Sequence, residues 1–225
     1  MCGRFTLTRA TDQVARRFAA EQLVLPIAPS YNVAPGQAVA AITDWGGRRV
    51  LEPLRWGLVP FWAKEPAIGN RLINARAETL AEKPAFRNAL TRRRCLVPAD
   101  GFYEWRQEGG KRQPMYVHMR DGELFAFAGL WEEWLSPDGS PLRTCAVITV
   151  PPNALMAEIH NRMPAILAPD DEASWLGGAG KRVEDLLSLL APYDDRGMEA
   201  YPVSRRVNAP TVNDASCIEP LADEG

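Results

Sequence analysis

The strongest constraint on this chain is that strand-forming runs dominate it and do not alternate with helices as β-α-β units. Val39–Ile42, Arg49–Leu54, Met115–Met119, Leu124–Trp131 and Thr144–Val150 are dense in aliphatic and aromatic residues, and turn residues such as the Asp44–Gly47 stretch separate them. Parallel sheets need a crossover helix between strands, and no such alternation occurs here. The pattern points to one α+β domain over residues 1–225, built of curved or barrel-like, mainly antiparallel sheets with short peripheral helices. Those helices are expected where Thr11 caps a segment to about Ala20, where Pro84 opens Ala85–Leu90, and where Asn153 caps a segment ending near His160. Asp170–Leu176 and Lys181–Leu190 add two more. Ser30–Gln37 (SYNVAPGQ) reads as an ordered loop, because Asn32, Pro35 and Gly36 are turn residues.

Composition excludes several classes of function. A length of 225 residues suffices for a full core, and 46% hydrophobic with 24% charged residues is ordinary for a globular protein. Nothing approaches the run of ~18 apolar residues that a membrane span needs, and the start carries no signal-peptide pattern. The four cysteines (Cys2, Cys95, Cys145, Cys217) are widely spaced and there are only two histidines. That spacing argues against a zinc site and against a disulfide framework, so no metal or cofactor is expected and a reducing cytoplasm is the natural compartment. No obligate protein partner is evident. The net charge of −2 does not advertise nucleic-acid binding. Even so, Arg92-Arg93-Arg94 and Arg205-Arg206, set against Asp170-Asp171-Glu172 and Asp194-Asp195, leave room for a basic face on a neutral body.

The residues that carry chemistry begin at the N-terminus, Met1-Cys2-Gly3-Arg4-Phe5. Methionine aminopeptidases remove the initiator Met when the next residue is small. Cys2 would then carry a free α-amine and a thiol on adjacent carbons. Such an aminothiol traps aldehydes: the amine forms a Schiff base and the thiol closes it to a five-membered thiazolidine. With a pKa of about 7.7–8.0, the amine is partly neutral at physiological pH. The same terminus also suits amide hydrolysis, with the thiol attacking and the amine as base. The blander alternative is a buried small hydrophobe. Glu104, between Tyr103 and Trp105, is an odd residue for a strand unless it alternates to solvent. His160 falls at a helix end, where the dipole favours a protonated ring. Trp56 reads as core and Trp62, beyond Pro60, as an exposed aromatic.

Taken together, nine segments resemble the SRAP (SOS-response-associated peptidase) family. They are MCGRF (1–5), YNVAPGQ (31–37), RWGLVP (55–60), NARAET (74–79), CLVPADGFYEW (95–105), FAGLWE (127–132), TCAVIT (144–149), HNRMP (160–164) and PVS (202–204). They run in family order over nearly the whole chain, with no departure at the positions that carry chemistry. The resemblance implies capture of abasic sites in single-stranded DNA or at single-strand/duplex junctions. The trap would be a thiazolidine crosslink through Cys2, with an associated lyase activity. It places Asn74, Glu104 and His160 around Cys2 as the catalytic set. It also implies DNA contacts from Arg4, Arg76, Arg162 and Thr149, stacking on Trp62, and phosphate recognition by the loop holding Asn32 and Pro35. Two other readings stay open: a cysteine-type (auto)peptidase with Cys2 as nucleophile, and a reader of single-stranded DNA ends without chemistry.

Overall fold

The computed structural model describes residues 2–22, 27–177 and 180–221. Its strands are β1 (Arg4–Leu7), β2 (Glu21–Gln22), β3 (Ser30–Val33), β4 (Ala38–Trp45), β5 (Arg48–Trp56), β6 (Asn74–Arg76) and β7 (Arg94–Ala99). They continue as β8 (Gly101–Glu108), β9 (Lys111–Met119), β10 (Phe125–Leu135), β11 (Pro141–Val150), β12 (Met163–Pro164) and β13 (Met198–Pro202). The helices are short: α1 (Thr11–Arg17), α2 (Arg87–Arg92), α3 (Ala154–Ala157), α4 (Pro169–Leu176) and α5 (Val183–Ser188). Among the described residues no helix is long and apolar enough to cross a membrane.

Five strands close on themselves. β4 pairs antiparallel with β5 and β7, β7 with β10, and β10 with β11. A short parallel pairing of β11 with β5, Cys145 opposite Trp56, completes the barrel. Closure removes the open edges that an exposed sheet would present. Ile42, Leu96, Phe127 and Val147 are fully buried on these strands. The fold is thus α+β, mainly antiparallel and barrel-like, as the strand pattern implied.

A second sheet, in the order β13-β9-β8-β1-β3, packs beside the barrel. The chain passes between the two at Asp100, whose carboxylate accepts from the Thr6 hydroxyl and, at 2.6 Å each, from the backbone N–H and hydroxyl of Thr8. The Pro98-Ala99-Asp100-Gly101 stretch is therefore a corner between two strands. Phe5 on β1 fastens the N-terminal strand to the barrel, its ring 5.2 Å from Trp56 and 5.7 Å from Phe127. Tilted and edge-on aromatic pairs of this kind contribute about 0.5–1.5 kcal/mol each beyond burial. That anchor fixes where Cys2, three residues earlier, must lie.

One glycine pair sets the course of the chain after β5. Gly57 has φ +129°, and a Cβ there would lie 2.7 Å from the carbonyl oxygen of Gly69. Both the dihedral and the contact exclude a side chain. Gly57→Ala is expected to lower stability by roughly 1–3 kcal/mol. Urea unfolding of the two proteins checks this, and equal midpoints would contradict it.

Several local expectations are corrected. The N-cap of α1 is Ala10, and Thr11 is its first helical residue, because the Thr11 hydroxyl bonds the backbone N–H and C=O of Ile27 at 3.0 Å each. Helix α1 ends at Arg17 because Ala19 turns to φ +49°. Ser30–Val33 is a strand: β1 lies beside it and supplies the pairing that turn propensity could not foresee. Pro84 heads a turn rather than a helix, and α2 starts at Arg87. Asn153 does cap α3, its side chain accepting from the Met156 N–H at 2.9 Å. Yet α3 closes at Ala157, so His160 lies beyond the helix.

Candidate active site around the N-terminal cysteine

Pairing between β1 and β8 runs antiparallel, with Arg4 opposite Tyr103 and Phe5 opposite Phe102. Following that direction past Arg4 brings Glu104 toward the residues that precede β1. The Cys2 side chain is fully buried. Burial, then the Glu104 carboxylate, pushes its thiol well above the ordinary range, so the group is a neutral thiol in the resting protein. Glu104, only 2% exposed, is itself raised by burial, with His160 pulling the other way. Of the two readings open for Glu104, the solvent-facing one does not hold. Gly101, Phe102, Tyr103 and Glu104 are all buried, so both faces of this part of β8 are covered and its pleat has no wet side.

Asn74 opens β6, which pairs in parallel with β11. Its amide Nδ2 donates to the Cys2 carbonyl at 2.8 Å. Its Oδ1 is buried and has no partner among the described residues. An unoccupied buried acceptor is costly unless something donates to it, and it sits on the amide that already holds Cys2. His160 Nδ1 lies 3.1 Å from the Arg162 backbone nitrogen and 3.3 Å from the Arg162 carbonyl oxygen. Glu104 and His160 line one cleft of about 310 Å³ with Trp105, Gln107, Arg112 and Ile159. A neutral thiol, a carboxyl group, an amide and an imidazole therefore meet at the start of the chain. Among the described residues no cluster of metal-ligating side chains occurs.

The residues expected to touch DNA fall into two groups. Arg4 directs Nη1 to Asn32 Oδ1 at 2.8 Å and to the Val207 carbonyl at 2.6 Å, and Nη2 to the Asn208 carbonyl at 3.1 Å. Asn32 is 1% exposed, and its Nδ2 donates to the carbonyls of Val207, Ala209 and Val212. Both side chains hold the 207–212 segment over the second sheet, and Asn32 has no side-chain group left for a phosphate. The loop's backbone donors are occupied too. Those of Asn32, Ala34 and Gly36 go to Ser30 Oγ, Gln37 Oε1 and the Trp56 carbonyl. Pro35 is exposed at that turn but has no N–H to give. Phosphate recognition by this loop is not supported.

The second group lies along β6, β11 and the loop after α3. Arg162 forms a bidentate pair with Glu78 and reaches the carbonyl and hydroxyl of the fully buried Thr149, while its Nε is buried without a partner among the described residues. Glu78 is held below the usual carboxylate range, chiefly by the hydrogen bonds from Arg162. Arg76 stands opposite Thr149 in the parallel register and is exposed. Trp62, 49% exposed, borders a separate hollow with Phe61, Pro84, Arg87 and Asn88. The Arg92-Arg93-Arg94 run makes no basic patch. Arg94 is 5% exposed and donates to the carbonyls of Trp175, Leu90 and Gly177, while Arg93 pairs with Glu132 and covers Trp131. Gln107 and Arg112 escaped the sequence reading. Their only signal was the basic hairpin WRQEGGKRQP (105–114) that follows Glu104.

Fold and site define the class first: an α+β protein with a two-sheet core that encloses an N-terminal cysteine beside Asn74, Glu104 and His160. The sequence profile of SRAP, SOS response associated peptidase, matches residues 1–210, and the chain belongs to that family. It is 49% identical over 223 residues to the abasic site processing protein YoqW of Bacillus subtilis (strain 168), covering 97% of this chain and 99% of that one. It is 32% identical to the abasic site processing protein HMCES of Gallus gallus, covering 86% of this chain and 66% of the relative. The fold matches an X-ray crystal structure of a protein from Bacteroides thetaiotaomicron with a TM-score of 0.90 and 29% identity, over 98% of this chain and 100% of that one.

Proposed function

We propose that this protein processes abasic sites in single-stranded DNA and at single-strand/duplex junctions, capturing them as a thiazolidine crosslink through Cys2 after removal of Met1. Met1 itself lies outside the described residues. The observation that carries the reading is a fully buried Cys2 whose backbone carbonyl Asn74 holds at 2.8 Å, beside a Glu104 that shares one cleft with His160. The DNA-processing names of its relatives point the same way.

The chemistry follows from these groups. His160 gives a proton to the ring oxygen and Glu104 takes the proton of the C1 hydroxyl as the abasic deoxyribose opens to its aldehyde. The Cys2 amine, one of its hydrogens accepted by Asn74 Oδ1, attacks the aldehyde carbon. Glu104 passes a proton to the carbinolamine oxygen, which leaves as water and yields the imine. The thiol then adds to the imine carbon, its proton passing through Glu104 to the nitrogen, and the ring closes. Net, one water is lost. If the imine eliminates the 3′ phosphate before the thiol closes, the strand is cut, which is the lyase branch. Arg76 and Arg162 hold flanking phosphates, with Arg162 exchanging Glu78 for one, and Trp62 stacks on a base. On this reading the protein works in the cytoplasm, at the nucleoid if the cell is bacterial.

The (auto)peptidase reading is the alternative, with Cys2 as the thiol nucleophile and Asn74, Glu104 and His160 assisting acyl transfer. The test is a denaturing gel with three labelled oligonucleotides: abasic single strand, abasic duplex and undamaged single strand. The expected result is a heat-stable adduct, strongest on the abasic single strand and absent without the lesion. Cleavage of peptides in trans with no adduct would overturn the reading.

A further inference from the structure

The cleft that holds Glu104 and His160 does not end at them. Its outer part is lined by Gln107 and Arg112, which face each other across the β8–β9 hairpin. Both are exposed, and neither side chain makes a hydrogen bond or ion pair with a described residue. Their neighbours are engaged elsewhere: Trp105 Nε1 donates to Asn208 Oδ1 at 2.8 Å, and Arg106 pairs with Glu108 at 3.3 Å. The hairpin tip carries Arg106, Lys111 and Arg112 against the single carboxylate of Glu108. A guanidinium and an amide, both with open donors, thus stand on one rung at the mouth of the cleft.

We infer that Arg112, assisted by Gln107, binds a phosphodiester of the strand being processed, next to the captured sugar. The inference rests on the proposed function and adds a phosphate subsite on the β8–β9 side, opposite in the chain to the Arg76 and Arg162 contacts. Gln107 lies three residues beyond Glu104, or about 10 Å along an extended strand. That spacing suits a phosphate neighbouring the abasic sugar and excludes the reacting carbon itself. An ionised guanidinium beside a phosphate oxygen makes a charge-assisted bond, and Gln107 supplies a neutral donor to the same group.

The experiment uses the full chain and a single-stranded oligonucleotide with a tetrahydrofuran abasic analogue, which has no aldehyde and cannot crosslink. Arg112→Gln should weaken binding roughly 3–10-fold, and Arg112→Lys should restore most of it. The slope of log affinity against log salt should fall by about 0.7, the loss of one phosphate contact. Replacing the flanking phosphates one at a time by neutral methylphosphonates locates the partner. At one linkage the wild-type protein and Arg112→Gln should bind equally. Unchanged affinity and slope in Arg112→Gln, or losses additive with every methylphosphonate, would overturn the subsite. Crosslinking to a true abasic oligonucleotide is read in parallel. A wild-type protein that fails to crosslink while the Arg112 effect on binding persists would sink the capture chemistry and leave the subsite standing.

Discussion

Cys2→Ala is expected to lose the heat-stable DNA adduct to background while strand cleavage at abasic sites persists. Alanine is small, so Met1 is still removed and an α-amine still forms the imine. What disappears is the thiol that closes the ring, and the imine then either hydrolyses or eliminates the 3′ phosphate. The protein should remain folded, because the substitution removes one buried sulfur from a large core; the cost is about 1 kcal/mol, within the usual range for a single mutation. Denaturing gels resolve adduct from cleaved strand in one lane. A heat-stable adduct retained in Cys2→Ala would show that another nucleophile does the trapping.

Glu104→Gln should separate catalysis from stability in opposite directions. Removing the proton shuttle is expected to slow crosslinking by about 10²–10⁴-fold. The same change should raise the thermal midpoint at neutral pH. Burial holds the Glu104 carboxyl above its ordinary value of 4.5, so the folded chain binds this proton more tightly than the unfolded one. Between the unfolded and folded values the folded state carries more protons. Glu104 therefore lowers stability as pH rises through that window, and the cost is complete above it. The midpoint gain from Gln should shrink as pH falls toward 4.5. Thermal melts across pH, beside single-turnover crosslinking, check both halves. A variant that is slower and less stable would mean that Glu104 acts mainly in packing.

Much of this was legible in the residues. Dominant strand runs that do not alternate with helices as β-α-β units gave the α+β class, because the crossover helices of a parallel sheet would have shown as a second periodicity. The barrel's closure was not legible. It depends on β5 meeting β11, with Trp56 beside Cys145, and pairing between such distant segments leaves no local mark. Asn74, Glu104 and His160 were reached by the ordered motifs. Glu104 by itself gave an even choice between shuttle and solvent face, since alternation assumes one wet face and the first half of β8 has none. Asn32 was misread for a related reason. Asn next to Pro and Gly is turn chemistry, but β1 lies alongside and its amide serves the 207–212 carbonyls. Arg4 and Arg94 show that an arginine count does not map a basic surface, because both fork onto main-chain carbonyls.

The account's central claim is that a processed Cys2 terminus traps an aldehyde with both its amine and its thiol. Intact mass of the purified protein, before and after mixing with an oligonucleotide that carries one abasic site, tests it most directly. The predicted result is a chain lacking Met1, then a new species equal to protein plus oligonucleotide minus one water, absent with Cys2→Ala. A chain lacking Met1 that forms no such species with the abasic strand would contradict the claim.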